Sequence, residues 1–441
     1  MTQEKGGASA PLSISDVLKI TDFRQLWFGQ LISNFGDALT TLALIFLVNE
    51  ISGQSATALA FLAIVIGFPT ATLGLAAGAL VDRLPKRGVM LWSDIARTIV
   101  ICGYLAFVWF EMDQLWIIYT ISFIQATLGA FFNPAKQALI PRLVPQEGLL
   151  SANSLSQMTT VVTGVLGAAA AGLIIGGYAL YWPVFAVDAL STLFSVYFIW
   201  RLTFREGDLE PLPKAAKVIQ TISGDIRAGL RTSVSNRLLL GMLLGFGCTM
   251  LALGAVNVLL VPLLINDLQV SESWFGLVQL AQSSGMVLSG ILVGQIAARF
   301  KATRIVTGSL FVVGIAIAGF FSVYELWHIF PMLFVAGLMI TPIQAAGATI
   351  IQTHSPPKML GRVGAALSAV NQTASLISMF AAGYLADLWS VRTVFLVGGL
   401  MVSAAALLMA GIFRGAPTDL NGDEASNQEA DKKTRELAAQ N

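Results

Sequence analysis

Apolar runs long enough to cross a bilayer recur along this 441-residue chain, and they constrain its fold more than any other feature. A hydrocarbon core about 30 Å thick needs roughly 20 apolar residues of helix. Backbone polar groups find no water there, so only helices and closed barrels span it, and runs of this length select helices. Twelve are read, at 26–49, 57–81, 88–110, 115–139, 151–176, 180–203, 238–265, 273–298, 304–324, 328–352, 362–388 and 393–413. Charged residues make up 12% of the chain, about half of what a soluble domain carries. The expected fold class is therefore an all-α integral membrane protein. Residues 1–25 are polar and the first run is too long for a signal h-region, so that run is expected to stay as a helix.

Loop charge sets the orientation. One set of connections carries Arg83, Lys86, Arg87, Arg142, Arg299, Lys301, Arg304, Lys358 and Arg362, and both termini share its basic character. The opposite set carries Glu50, Glu111, Asp113, Asp267, Glu272 and Glu325, with Arg392 as the exception. Both termini are expected to be cytoplasmic, in a cell inner (plasma) membrane protein.

Segment 204–237 divides the chain into six-helix bundles at 26–203 and 238–413, between a cytoplasmic segment at 1–25 and a polar, disordered tail at 414–441. Val218, Ile222, Ile226 and Leu230 recur every four residues, which predicts an amphipathic cytoplasmic helix in the linker. The halves repeat. Gly74, Gly78 and Arg83 recur as Gly290, Gly294 and Arg299 at an offset of 216, and Pro134 recurs as Pro342 at 208. Parallel repeats of this kind place a substrate site between the halves, near midplane.

Charge inside the runs marks candidate site residues. Asp37 lies in the middle of the first run, where a carboxylate costs roughly 2.5–3.5 kcal/mol on insertion scales. That cost is met where the group faces a wet cavity, pairs with a cation or carries a proton. Asp37 lies roughly 16 Å deep and Arg97 roughly 13 Å deep, in runs that traverse in the same direction, so the two can pair. Asp94, one turn from Arg97, competes for the guanidinium. The pair is either a device for loading a proton or a static packing contact. Asp188 is a further buried carboxylate, either a coupling group or a structural acceptor for nearby hydroxyls. Gln30, Asn34, Asp37 and Thr41 share one face of the first helix. With Gln125, Gln344, Asn371 and Gln372 they outline a cavity with few charges, suited to amphipathic or apolar ligands, although each also serves as an ordinary interhelical hydrogen bond.

Several chemistries lack their residues. A net charge of +1 implies no nucleic-acid partner. The two cysteines and two histidines form no metal-binding cluster, and neither a cofactor motif, a nucleotide-binding loop nor a nucleophile–base pair is visible. An intramembrane enzyme or a receptor is thus the weaker alternative.

The loop GALVDRLPKR (Gly78 to Arg87) resembles the signature of the major facilitator superfamily. Gly78 permits close helix approach, Asp82 suits a neighbouring helix N-terminus, and Arg83, Lys86 and Arg87 anchor the loop. FRQLWFGQLISNFGDALTTLAL (Phe23 to Leu44), SDIAR (Ser93 to Arg97), FNPAKQALIPRLVPQEGLLSANSL (Phe132 to Leu155) and GYLADLWSVRTVF (Gly383 to Phe395) are similar to the drug:proton antiporter-3 branch. The resemblance implies the major facilitator fold, with two pseudo-symmetric bundles and a conformational switch at Gly78, Asp82, Arg83, Lys86 and Arg87. It implies a monomeric antiporter for efflux of bulky, mostly apolar small molecules, of the macrolide or multidrug-resistance kind. Siderophores and lysophospholipids are alternative substrates, and sodium is an alternative to the proton. One departure is Ala168, which stands in TGVLGAAAAG where antiporters often carry proline.

Overall fold

The computed structural model describes residues 12–81, 84–178, 180–204, 215–356 and 359–414. These form fourteen α-helices: α1 (Ile14–Val17), α2 (Thr21–Ile51), α3 (Ala56–Val81), α4 (Lys86–Trp109), α5 (Leu115–Leu143), α6 (Leu149–Tyr178), α7 (Trp182–Trp200), α8 (Ala215–Ser235), α9 (Arg237–Val261), α10 (Phe275–Arg299), α11 (Ala302–Gly319), α12 (Ile329–His354), α13 (Leu360–Leu388) and α14 (Val391–Arg414). Twelve of them, α2–α7 and α9–α14, are long and apolar enough to cross a membrane. The chain is a multi-pass, all-helical membrane protein.

Departures from the predicted spans have local causes. Helix α2 starts at Thr21 rather than 26, and Asp22 in its first turn accepts from the Thr203 amide at 2.9 Å, tying it to the end of α7. Helix α9 runs on through Pro262–Asp267 as a π-turn; proline donates no N–H, and the wider turn absorbs the missing bond. Pro183 sits in the first turn of α7, where an absent N–H costs nothing.

Helix α2 packs on α6 and α7, α3 on α5, and α4 on α5 and α7, whereas α9 packs on α13 and α14, α10 on α12, and α11 on α12 and α14. The main seams between these two sets are α3–α13 and α6–α10. They lie toward the ends of the helices remote from α1 and α8, termed the far face; the opposite ends form the terminal face. Glycine permits this closure. A Cβ on Gly172 would strike the carbonyl of Glu272, one on Gly276 would strike Ala169, and one on Gly383 would strike Ala60. The small residues around Ala168 therefore do pack tightly, as expected of them.

Polar contacts tie the same face. Asp387 of α13 accepts from the Ala56 and Thr57 amides at 3.0 Å and from the Ser55 hydroxyl at 3.1 Å, capping the N-terminus of α3. Asn49 and Asn266 exchange amide bonds at 3.1 and 3.2 Å. At the terminal face no described residue lies within 4 Å of a Cβ placed on Gly74, Gly78, Gly290 or Gly294. The close approach expected at Gly78 is therefore absent in this conformation, because the two sets of helices meet at the far face and part toward the terminal one.

The linker helix α8 docks on α13 rather than lying loose. Gly229 meets the Arg362 carbonyl, Asp225 pairs with Arg362 at 2.8 Å, and Leu230 packs on Leu239, Leu243, Val363 and Leu367. Arg392, the exception in the loop charges, pairs with Asp267 at 3.4 Å and covers the Tyr324 ring at 4.4 Å.

Candidate coupling and substrate site

Two glycines seven residues apart, Gly29 and Gly36, let α2 approach α7. A Cβ on Gly29 would lie 3.2 Å from Cβ of Phe198, and one on Gly36 would collide with Asp188 and Ser191. This contact carries Asp188 into the protein interior beside Asp37. Asp188 is fully buried and accepts from Thr40 at 2.6 Å and Ser191 at 3.4 Å. Of its two expected roles, the structure displays the hydroxyl contacts.

Arg97 of α4 reaches across to Asp37, as the matched depths predicted, and donates to Oδ1 of that carboxylate. It also donates to Asp94 at 3.3 Å. The two carboxylates differ in environment. Asp94 is fully buried, and its other oxygen accepts from Ser195 at 2.6 Å. Ser195 in turn accepts from Gln30 at 3.4 Å. Asp37 keeps 36% of its side chain exposed. Arg97 thus has one buried partner and one partly exposed, while its Nε is without a partner among the described residues.

The exposed side of Asp37 borders a cavity of about 220 Å³, lined also by Thr41, Arg97, Tyr104, Ser122, Gln125 and Asn133. Thr41 donates to the Asp37 carbonyl at 2.7 Å, which ties its hydroxyl to its own helix. Oε1 of Gln125 is buried without a partner among the described residues. A smaller pocket of about 20 Å³ lies between α2, α5 and α6, against Gln30, Asn34 and Lys136.

The structure gathers Gln30, Asn34, Asp37, Thr41, Arg97 and Gln125 around these two spaces. It leaves Gln344, Asn371 and Gln372 outside both linings, with Gln344 exposed on α12 and Oδ1 of Asn371 buried without a partner among the described residues. In the loop after α3, Asp82 and Arg83 lie outside the described residues. Lys86 is buried rather than solvated, and Arg87 donates to the Ile199 carbonyl at 3.2 Å and to that of Trp200, at the C-terminus of α7. A cation is favoured at a helix C-terminus.

Lys136, Thr40, Ser195 and Asn133 escaped the sequence reading. For Lys136 a signal was present, a charge inside the apolar span Leu115–Leu143. The hydroxyls and Asn133 carry no such signal, since polar uncharged residues are common in membrane helices.

Comparison with known proteins places this geometry. The chain matches the transmembrane secretion effector family, a major facilitator family, over residues 10–440. It is 25% identical over 394 residues to macrolide efflux protein A of Streptococcus pyogenes, covering 88% of this chain and 94% of that protein. It is 26% identical over 395 residues to the uncharacterised MFS-type transporter YfiS of Bacillus subtilis, covering 86% of this chain and 90% of that one. A bacterial homologue of the iron transporter ferroportin, in an inward-facing state, superposes with a TM-score of 0.69 at 17% identity, over 89% of this chain and 99% of that one. A POT family transporter superposes with a TM-score of 0.70 at 13% identity, over 89% and 96%. At such identity these two structures bear on fold alone.

Proposed function

Because the chain belongs to the transmembrane secretion effector family of the major facilitator superfamily, we propose that it is a proton-coupled exporter of bulky apolar or amphipathic small molecules. The family makes it a membrane transporter rather than an enzyme; the coupling, the substrate class and the direction are the proposal. Macrolides are the first substrates to test, given the likeness to macrolide efflux protein A over most of the chain.

One observation carries the coupling proposal, the asymmetry around Arg97. Asp94 is sealed and held by Ser195, whereas Asp37 shares the same guanidinium and faces the cavity. When Asp37 takes up a proton, Arg97 keeps Asp94 and no buried cation is stranded. The inventory agrees: Asp37, Asp94 and Asp188 face Arg97 and Lys136, three carboxylates against two cations. One excess carboxylate is what a single carried proton neutralises.

Alternating access then follows from the seams. The bundles 26–203 and 238–413 rock as units, opening the far face as the terminal face closes on Gly78, Gly294 and the loop at Asp82 and Arg83. By its basic loops the terminal face is cytoplasmic, so the conformation described opens inward. The test is drug accumulation in cells stripped of their own pumps, with proton and sodium gradients collapsed separately. Export that stops only when the proton gradient collapses supports the proposal; export that follows sodium alone replaces the proton with sodium.

A further inference from the structure

The proposed coupling counts Lys136 in the charge balance but gives its ammonium no contact. Lys136 lies in the membrane span Leu115–Leu143, half-buried, with neither a hydrogen bond nor an ion pair among the described residues. Its ammonium is within electrostatic reach of Asp37 and Asp94 but forms no ion pair with either. An ionised group in a membrane span marks a substrate or ion path when it faces a cavity.

The pocket at Lys136 is one-sided in its chemistry. Its hydroxyls are already engaged with their own helix: Ser156 donates to Ala152 at 2.8 Å, Thr159 to Leu155 at 2.7 Å and Thr160 to Ser156 at 3.1 Å. Gln30 donates to Ser195. The donors left over are the Lys136 ammonium, the Asn34 amide and the second N–H of the Gln30 amide, and no carboxylate is in the lining. A volume of about 20 Å³ admits an atom the size of a water oxygen and little more.

This pocket and the main cavity lie along the same two helices, α2 and α5, with no lining residue in common. Asn34 precedes Asp37 by one turn of α2, and Lys136 follows Asn133 by one turn of α5, so each pair shares a helix face. The two helices run in opposite directions, so both steps lead from the cavity toward the terminal face. An oxygen on a molecule in the 220 Å³ cavity would have to reach one helical turn, about 5 Å, toward the terminal face to lie between Lys136 and Asn34.

We propose that Lys136 and Asn34 form a subsite for an anionic oxygen, of a carboxylate or a phosphate, on the transported molecule, whose body occupies the cavity beside Asp37. The inference rests on the transporter assignment and adds, to the apolar and amphipathic molecules proposed above, those that carry such an oxygen.

The test is binding to the full chain in lipid nanodiscs, using one scaffold in three charge states. Phe-Phe presents an amine and a carboxylate, its C-terminal amide only the cation, and N-acetyl-Phe-Phe only the anion; 1-naphthyl phosphate is the phosphate arm. The wild type is expected to bind at least one of the carboxylate or phosphate probes at least tenfold more tightly than the cationic amide. Lys136→Gln is expected to remove that preference without weakening the amide, and Lys136→Arg to keep it. The arm that shows the preference identifies the source of the oxygen. A wild type without preference for any anionic probe overturns the subsite, and this comparison needs no variant to fold. An equal loss across all probes in Lys136→Gln also overturns it. Lys136-dependent binding in nanodiscs, with no gradient-driven flux of the same probe into proteoliposomes of the full chain, overturns the transport of such molecules and leaves the subsite standing. Flux without a charge preference does the reverse.

Discussion

Replacing Asp387 by alanine should loosen the far face. Its carboxylate caps a helix belonging to the other bundle, through the Ala56 and Thr57 amides at 3.0 Å and the Ser55 hydroxyl at 3.1 Å. Loss of an N-terminal cap costs about 0.5–2 kcal/mol. Asp387 is exposed, so water replaces part of what is lost, and the middle of that range applies. Closure between bundles loses the contact whenever the far face opens, so the full cost appears in the conformational equilibrium. About 1–1.5 kcal/mol changes a population ratio by a factor of roughly 5–13. Spin labels at Asp113 and Glu325, exposed positions on the far face of each bundle, report that ratio by double electron–electron resonance. The longer-distance population should grow by that factor in Asp387→Ala and stay near the wild-type level in Asp387→Asn, whose side-chain oxygen still accepts from an amide. An unchanged distance distribution in Asp387→Ala would refute the view that this cap holds the far face shut.

Other expectations follow from the same geometry. Gly36→Ala forces α2 away from Asp188 and Ser191 and should destabilise the protein by about 1–3 kcal/mol, seen as a lower melting temperature in detergent. Arg97→Leu strands Asp94 in the interior and should cost about 3–5 kcal/mol, with much less folded protein recovered. Asp37→Asn leaves the Arg97–Asp94 contact in place and should fold with nearly wild-type thermal stability, which separates the roles of Asp37 and Arg97 in one melting experiment. Gly172→Leu would collide with Glu272 and should favour the conformation open at the far face, raising maleimide labelling of a cysteine introduced at Ser273, which lies on the same seam.

The spans were legible because bilayer thickness acts along one dimension: each crossing must appear as a contiguous apolar run. Depth is likewise linear in residue number, so the sequence placed Asp37 and Arg97 at heights where they could pair, while the contact itself needed the coordinates. The rotation of each helix about its own axis was less accessible. Hydroxyl partners such as Thr40 and Ser195 depend on the α2–α7 and α4–α7 contacts, which glycines at 29 and 36 decide through three-dimensional packing. Arg392 stands against the loop charges, and its cation pairs there with Asp267, at the end of the turn that follows α9. Gln344, Asn371 and Gln372 marked mid-depth polarity, yet polarity alone did not say which residues would border the cavity. Lys136 could have been found by the test applied to Asp37, a charge inside an apolar span, but it sits near the basic end of its helix, where a cation looks like an anchor.

The central claim, that a proton carried by Asp37 drives export, is tested most directly by flux into proteoliposomes under an imposed pH gradient, with a labelled macrolide as substrate. Wild-type protein should drive saturable uptake that collapses with the gradient. Asp37→Asn should still exchange substrate across the membrane but show no response to the gradient. A gradient response in Asp37→Asn equal to that of the wild type would contradict the account.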